Sequence, residues 1–287
     1  MDAMKIKVAA VNWKLREIRR DSEFFGHFYD LVEKAHDAGA VVIVVPELIC
    51  LELLHLEPGL KEPKVPKYLA QFAEAIEEWV QRISNVSGLV LVGGSHFKET
   101  PDGIVNACAV GHPSLGLVLG AKNNLTQYEK EMWDLARGKG LVKIPDRRIG
   151  VTICYDCEFP ESGRTLAEEG VTIQCVPSFT ETMHGFHRVR WSCHARTVEN
   201  QVYVIQSSLV GSLAREPVPT ALGSSAVLCP PLRQFPENGI LMETSFNQED
   251  IAIVDLDMDL LEEARSTGDV RNWEDRKASD WQMGHTL

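Results

Sequence analysis

A glutamate, a lysine and a cysteine, residue types that cooperate in nucleophilic catalysis, each follow a run of strand-forming residues. Glu47 stands after Val44-Val45-Pro46, Lys122 closes Leu119-Gly120-Ala121, and Cys154 ends Gly150-Val151-Thr152-Ile153. A cysteine attacks as its thiolate, a form that a nearby base or cation favours. Glu47 can take the thiol proton and later activate water, and Lys122 can stabilise the anionic oxygen of a tetrahedral intermediate. The start of the helix expected after Cys154 offers free backbone N–H groups, with that of Tyr155 the natural oxyanion donor. Taken singly, each residue has a plainer reading: a small core cysteine, a turn glutamate after proline, a solvated lysine at a strand end.

The elements around these residues are those of a mixed α/β protein. Lys5–Val11 alternates and is rich in β-branched residues, and Ala40–Val45 is a continuous apolar run of the kind buried on both faces of a sheet. Helical spacing predicts helices over 22–38, 66–83, 160–169 and 184–200. Strands are predicted over 89–93, 104–110, 115–121, 149–153, 171–176, 202–207, 224–228 and 251–254. Ligands in such proteins gather beyond the carboxyl ends of strands, so the three residues are placed to converge. No linker-like break separates the halves, and the chain (1–287) reads as one domain with a core over about 5–257. The tail from about 265 carries Trp273 and Trp281 among polar residues, which suggests docking on a partner subunit.

Bulk properties narrow the function. The 287 residues are 44% apolar and carry a net charge of −12, which argues against binding to nucleic acid or an anionic membrane. The amino terminus lacks a signal-peptide pattern, and no apolar run approaches the length of a membrane span. Seven cysteines, an odd number, fit a reducing compartment better than a disulfide framework, so the expected location is the cytoplasm.

Taken together and in order, these segments resemble the nitrilase superfamily of carbon–nitrogen hydrolases. Val45-Pro46-Glu47-Leu48 resembles its catalytic-glutamate segment, and Asn106-Ala107-Cys108-Ala109-Val110, then Gly116 and Lys122-Asn123-Asn124-Leu125, its lysine block. The closest match runs from Gly150 to Glu161, with Arg164, Leu166-Ala167, Gly170 and Pro177-Ser178 following, and Ala195 to Asn200 resembles a later helix signature. The resemblance implies a four-layer α-β-β-α sandwich that dimerises through the helices beyond the cysteine. It also implies Glu47 as general base, Lys122 as oxyanion stabiliser and Cys154 as nucleophile. A second glutamate that positions the lysine is assigned to Glu129 in Gln127-Tyr128-Glu129-Lys130, with Glu131 the poorer candidate. Tyr155 supports the oxyanion, and Asp156, Phe179 and His184 are candidates for the substrate pocket. Two departures bear on specificity: Gly120-Ala121 precede the lysine and Asn124 replaces a histidine, and the stretch from Lys122 to Glu129 is short. The segment from Gly185 to Val204 resembles an amidase branch, some of whose members are fused to an acetyltransferase domain; no such domain is read here. The expected substrate is a small amide or carbamoyl compound, hydrolysed without a cofactor; nitrile hydrolysis and acyl transfer to an amine are the alternatives that the same groups allow.

Other constellations compete. Cys154-Tyr155-Asp156-Cys157 is a C-x-x-C pair between strand and helix, the position of a thiol–disulfide redox centre, but that reading leaves the glutamate and lysine blocks unexplained. His184, His187, Cys193 and His194 lack a second ligand pair with zinc spacing, and the histidines are expected to lie at a helix start and rim the pocket. Arg196, Glu199 and Asn200 read as a hydrogen-bonded helix end behind the cysteine. The Gly93-Gly94 pair has no phosphate-loop context. A non-catalytic binding protein is disfavoured because all three chemical positions are filled.

Overall fold

The computed structural model describes residues 4–278. Strands β1 (Lys5–Lys14), β2 (Val42–Val44), β3 (Val90–Thr100), β4 (Gly103–His112) and β5 (Gly116–Ala121) build one sheet. Strands β6 (Val142–Ile144), β7 (Ile149–Val151), β8 (Ile173–Phe179), β9 (Tyr203–Val210), β10 (Ala226–Leu228) and β11 (Ile240–Glu243) build the other. β12 (Asp250–Asp257) returns to the first sheet, antiparallel to β1. Each sheet has a parallel centre, with Val8 beside Val42 beside Val90 in one and Ile149 beside Ile173 beside Tyr203 in the other. Trp13 and Lys14 at the end of β1 pair with Leu209 and Val210 of β9, joining the sheets there.

The strands are apolar on both faces because both faces are covered. Val8, Ala10, Val42, Val44, Val90 and Val92 belong to the core that also holds Ile149, Val151, Ile173 and Cys175 of the second sheet. Their neighbours Ala9, Val11, Ile43, Val45 and Leu91 point the other way, as the two-residue period of a strand requires. They share a second core with α1 (Asp21–Asp37), through Phe24, Phe28 and Leu31, and with the α2 (Val65–Ala70) and α3 (Ala73–Ser87) pair, through Leu69, Ile76 and Val80. After the short α4 (Gln127–Glu131), helices α5 (Pro160–Glu168) and α6 (Met183–Asn200) cover the second sheet. α5 comes so close to β7 that a Cβ at Gly150 would lie 2.8 Å from a Leu166 methyl. The layers are therefore helix, sheet, sheet, helix, as expected.

Several details differ from the sequence reading. The helix expected over 66–83 is α2 and α3, separated at Gln71-Phe72, where the Phe72 N–H bonds the Leu69 carbonyl in a tightened turn. Apolar spacing runs through both pieces and hides the joint. A 3-10 helix over Ile49–Leu56, the short β6 and β11, and helices α7 (Met258–Thr267) and α8 (Asn272–Asp275) had no reading of their own. Trp273, in the tail that the sequence reading assigns to docking on a partner subunit, lies in α8 beside arginines of its own chain, which leaves that docking a proposal. The guanidinium groups of Arg164, Arg265 and Arg276 sit 5.7, 4.8 and 3.3 Å from its ring centre. Trp281 falls outside the described residues.

Candidate active site

Glu47 leaves the end of β2 through a backbone that the neighbouring strand has made room for. A Cβ at Gly94 would lie 2.1 Å from the Pro46 carbonyl oxygen, so glycine there is what lets the two chains touch. The Ser95 N–H bonds that carbonyl, and the Ser95 hydroxyl accepts the Leu48 N–H at 3.0 Å, with Leu48 in the left-handed region at φ 52°. The following 3-10 helix is tied down by Glu52, which accepts the Trp13 indole N–H at 2.8 Å and faces His27 at 3.3 Å. Pinned on both sides, the Glu47 carboxyl is 2% exposed.

Lys122, just past β5, brings its ammonium between two carboxylates. Its Nζ lies 2.8 Å from Glu47 Oε1 and 2.9 Å from Glu129 Oε1. Asn106, from the middle of β4, donates its amide N–H to the same two oxygens at 2.9 and 3.1 Å. Glu129 has a further anchor: its other oxygen accepts the Thr126 N–H at 2.8 Å while the Thr126 hydroxyl accepts the Glu129 N–H. This reciprocal capping box starts α4 and aims the carboxylate at the lysine.

Cys154 comes from the opposite sheet. It follows β7 with φ at 43°, a left-handed conformation that costs a non-glycine residue about 1–3 kcal/mol and turns its side chain out of the strand. The thiol donates to the Phe179 carbonyl at 3.5 Å, and the Phe179 N–H donates to Glu47 Oε2 at 3.0 Å. The backbone of one residue at the end of β8 thus holds both the Cys154 thiol and the Glu47 carboxylate. The helix expected after the cysteine is a 3-10 turn over Cys154–Glu158, with α5 beginning only at Pro160. The Asp156 N–H is taken by the Ile153 carbonyl, whereas that of Tyr155 is in no hydrogen bond among the described residues.

The charges decide the proton positions. Burial pushes the Glu47 carboxyl above the ordinary carboxylate range, with the Glu129 charge adding to the push and the Lys122 ammonium opposing it. Burial also raises Glu129, but Lys122 and the hydrogen bonds from Thr126 and Asn106 outweigh it and hold that carboxyl low. Burial works against the Lys122 charge, yet Glu129 and Glu47 keep its ammonium protonated well above the usual range. Burial and the Glu47 charge push the Cys154 thiol well up, against Lys122. Both shifts favour a protonated Cys154 thiol beside a Glu47 carboxyl of raised basicity, an arrangement suited to proton removal by the carboxyl as the sulfur attacks.

A family model for carbon-nitrogen hydrolases matches residues 7–266. The chain belongs to the carbon–nitrogen hydrolase family. It is 29% identical to the probable hydrolase YhcX of Bacillus subtilis, over 96% of this chain but only 54% of that relative, so it spans about half of that protein's length. It is 27% identical to an omega-amidase of Danio rerio over 91% of each chain. Among solved structures, Nit3 of Saccharomyces cerevisiae, from the nitrilase superfamily, superposes with a TM-score of 0.73 at 23% identity, covering 91% of this chain and 93% of that one. An amidase of Nesterenkonia superposes with a TM-score of 0.68 at 19% identity, covering 91% and 94%.

In this carbon–nitrogen hydrolase, Glu47, Lys122, Glu129, Cys154, Tyr155 and Phe179 all border one cavity of about 580 Å³. Asp156 and His184, expected in the pocket, do not. Asp156 is buried behind the lysine, where its carboxylate accepts the Asn123 and Asn124 N–H groups at 3.0 and 2.7 Å. It shapes the Lys122 loop from the far side, and Asn124, the departure from the family pattern, donates its side-chain amide to it. His184 is exposed on the first turn of α6, whose Gly185, Arg188 and Val189 line the cavity instead. Glu131 is exposed and takes a hydrogen bond from Gln127. Asn106 was missed as a site residue, though an amide inside the apolar run Val105–Val110 is itself a signal, since a buried polar group needs partners. Cys157 faces Cys193, with sulfurs 4.0 Å apart, and all seven cysteines are free. Among the described residues no group of three or more His, Cys, Asp or Glu side chains could hold a metal ion.

The raised Glu47 carboxyl has a kinetic consequence for this hydrolase. A protonated Glu47 cannot accept the thiol proton, so kcat/KM should fall as pH drops through a value above the ordinary carboxylate range. No alkaline loss through Lys122 is expected within its usual ammonium range. A pH–rate profile checks this; an acid limb at the ordinary glutamate value would remove Glu47 as the base.

Proposed function

We propose that the protein hydrolyses a small amide through a thioester on Cys154. Glu47 takes the thiol proton as the sulfur attacks the carbonyl carbon, and the Lys122 ammonium with the Tyr155 N–H receives the developing oxyanion. Collapse breaks the carbon–nitrogen bond, and Glu47 returns its proton to the leaving ammonia or amine. Water, deprotonated by the same carboxylate, then cleaves the thioester and releases a carboxylic acid. Glu129 and Asn106 hold Lys122 in line throughout.

The observation that carries this reading is the meeting of a thiol, a carboxylate and an ammonium from both sheets at the mouth of one cavity. The omega-amidase relatives favour an amide over a nitrile or carbamoyl compound. A Nesterenkonia amidase shares the fold. Acid-quenched turnover followed by peptide mass spectrometry tests it. The acyl group should reside on the Cys154 peptide and disappear on incubation in water; an acyl group on any other cysteine, or none while ammonia is released, ends the proposal. The reading includes one domain working in the cytoplasm as a homodimer, supported by the seven free, buried cysteines and by the family resemblance.

A further inference from the structure

Beyond the reacting groups, the walls of the cavity change character. Tyr128, Trp133, Tyr155 and Phe179 line it, and Glu181 stands at its rim. Tyr128 and Trp133 meet edge to face with ring centres 4.9 Å apart, and the Tyr128 hydroxyl donates to Glu62, which fixes a second carboxylate at this wall. Glu216, next to the cavity-lining Pro217, is a third, within electrostatic reach of both Glu181 and Tyr128. Burial raises the Glu181 carboxyl, and Glu216 and Glu62 add to the rise. Among the described residues none of these three glutamates has a basic partner. Arg188, on the cavity wall, shares its charge with Glu158, its Nε lying 3.3 Å from Glu158 Oε2. Like charges gathered beside aromatic faces favour a cation on two counts, through the carboxylates and through the ring quadrupoles.

We propose that the site selects amides carrying a positive charge at the end remote from the scissile carbonyl, with Glu181 the specificity-determining carboxylate and Glu62 and Glu216 behind it. The inference rests on the hydrolase reading of this cavity and narrows it to ammonium- or guanidinium-ended amides. A carboxylate-ended amide would have to meet three glutamates that lack a basic partner, with the Arg188 charge already partly offset by Glu158.

Titration calorimetry on the Cys154→Ala protein, with 4-aminobutanamide and succinamate as ligands of matched length, tests the charge preference without turnover. At low ionic strength the ammonium-ended amide should bind at least about tenfold more tightly, the effect of one favourable charge contact. Glu181→Gln should lower that ratio by about tenfold, and added salt should narrow it. With the wild-type enzyme, ammonia release should follow the same order, the difference lying in KM. Equal binding of the two ligands, a ratio untouched by Glu181→Gln, or a succinamate preference abolished by Arg188→Gln would each overturn the proposal. A charge preference in the titration combined with no ammonia from the wild type would support charge selection while removing the hydrolase reading.

Discussion

Cys154→Ala should fold normally and lose turnover by a factor on the order of 10⁴–10⁶, the range seen when a covalent nucleophile is removed. Cys157→Ala should keep most of its activity. The two residues are three apart, yet their surroundings differ. Cys154 meets the cavity, Phe179 and Glu47, whereas Cys157 is fully buried against Cys193 and the Val189 carbonyl. Trimming the Cys157 sulfur leaves a small cavity behind the 3-10 turn and costs stability of about 1–2 kcal/mol. Steady-state ammonia release and thermal unfolding of both variants separate the two effects. Equal loss of turnover in both would return the C-x-x-C redox reading to first place.

Lys122→Met should be nearly as damaging, by two routes. The oxyanion loses a charged donor, which alone costs on the order of 10²–10³ in rate. The variant also leaves Glu47 and Glu129 facing one another with only Asn106 between them. Two buried carboxylates at such range cannot both stay ionised, so one takes up a proton and the base is lost at neutral pH. Breaking a buried ion pair by removing one partner typically costs about 3–5 kcal/mol. The pH dependence has a definite sign. In the variant the folded-state pKa of the carboxyl pair lies above its unfolded value, so the variant is favoured below the ordinary glutamate range and loses stability as pH rises through the folded value. The deficit against wild type in thermal unfolding should therefore be larger at pH 8 than at pH 5. A deficit independent of pH would mean that the lysine is not the counter-charge of these two glutamates.

Much of this was legible in the sequence because the chemistry sits at punctuation marks. Pro46 ends the apolar run before Glu47, and the β-branched run before Cys154 stops where the backbone turns left-handed. Glu129 was readable through its segment, although the capping box with Thr126 that aims it was not noticed. What stayed hidden depended on direction rather than spacing. Asp156 is next to the nucleophile's neighbour in sequence but points behind the lysine loop, since a 3-10 turn sends successive side chains to different sides. His184 and Arg188 share a helix face one turn apart, and the cavity takes the latter. The break at Phe72 left the apolar period intact, and three-residue strands such as Val142–Ile144 are too short to show one.

The Phe179 backbone has a mechanical consequence. Glu47 and Lys122 ride on one sheet, Cys154 and Phe179 on the other, and the 3.0 Å bond from the Phe179 N–H to Glu47 spans the seam between them. A slip of one sheet over its neighbour by an ångström would leave every helix and strand intact, and their spectroscopic signatures unchanged, while separating sulfur from carboxylate. Turnover is thus a vernier on the alignment of the two halves, and heat or denaturant should silence the enzyme before it melts.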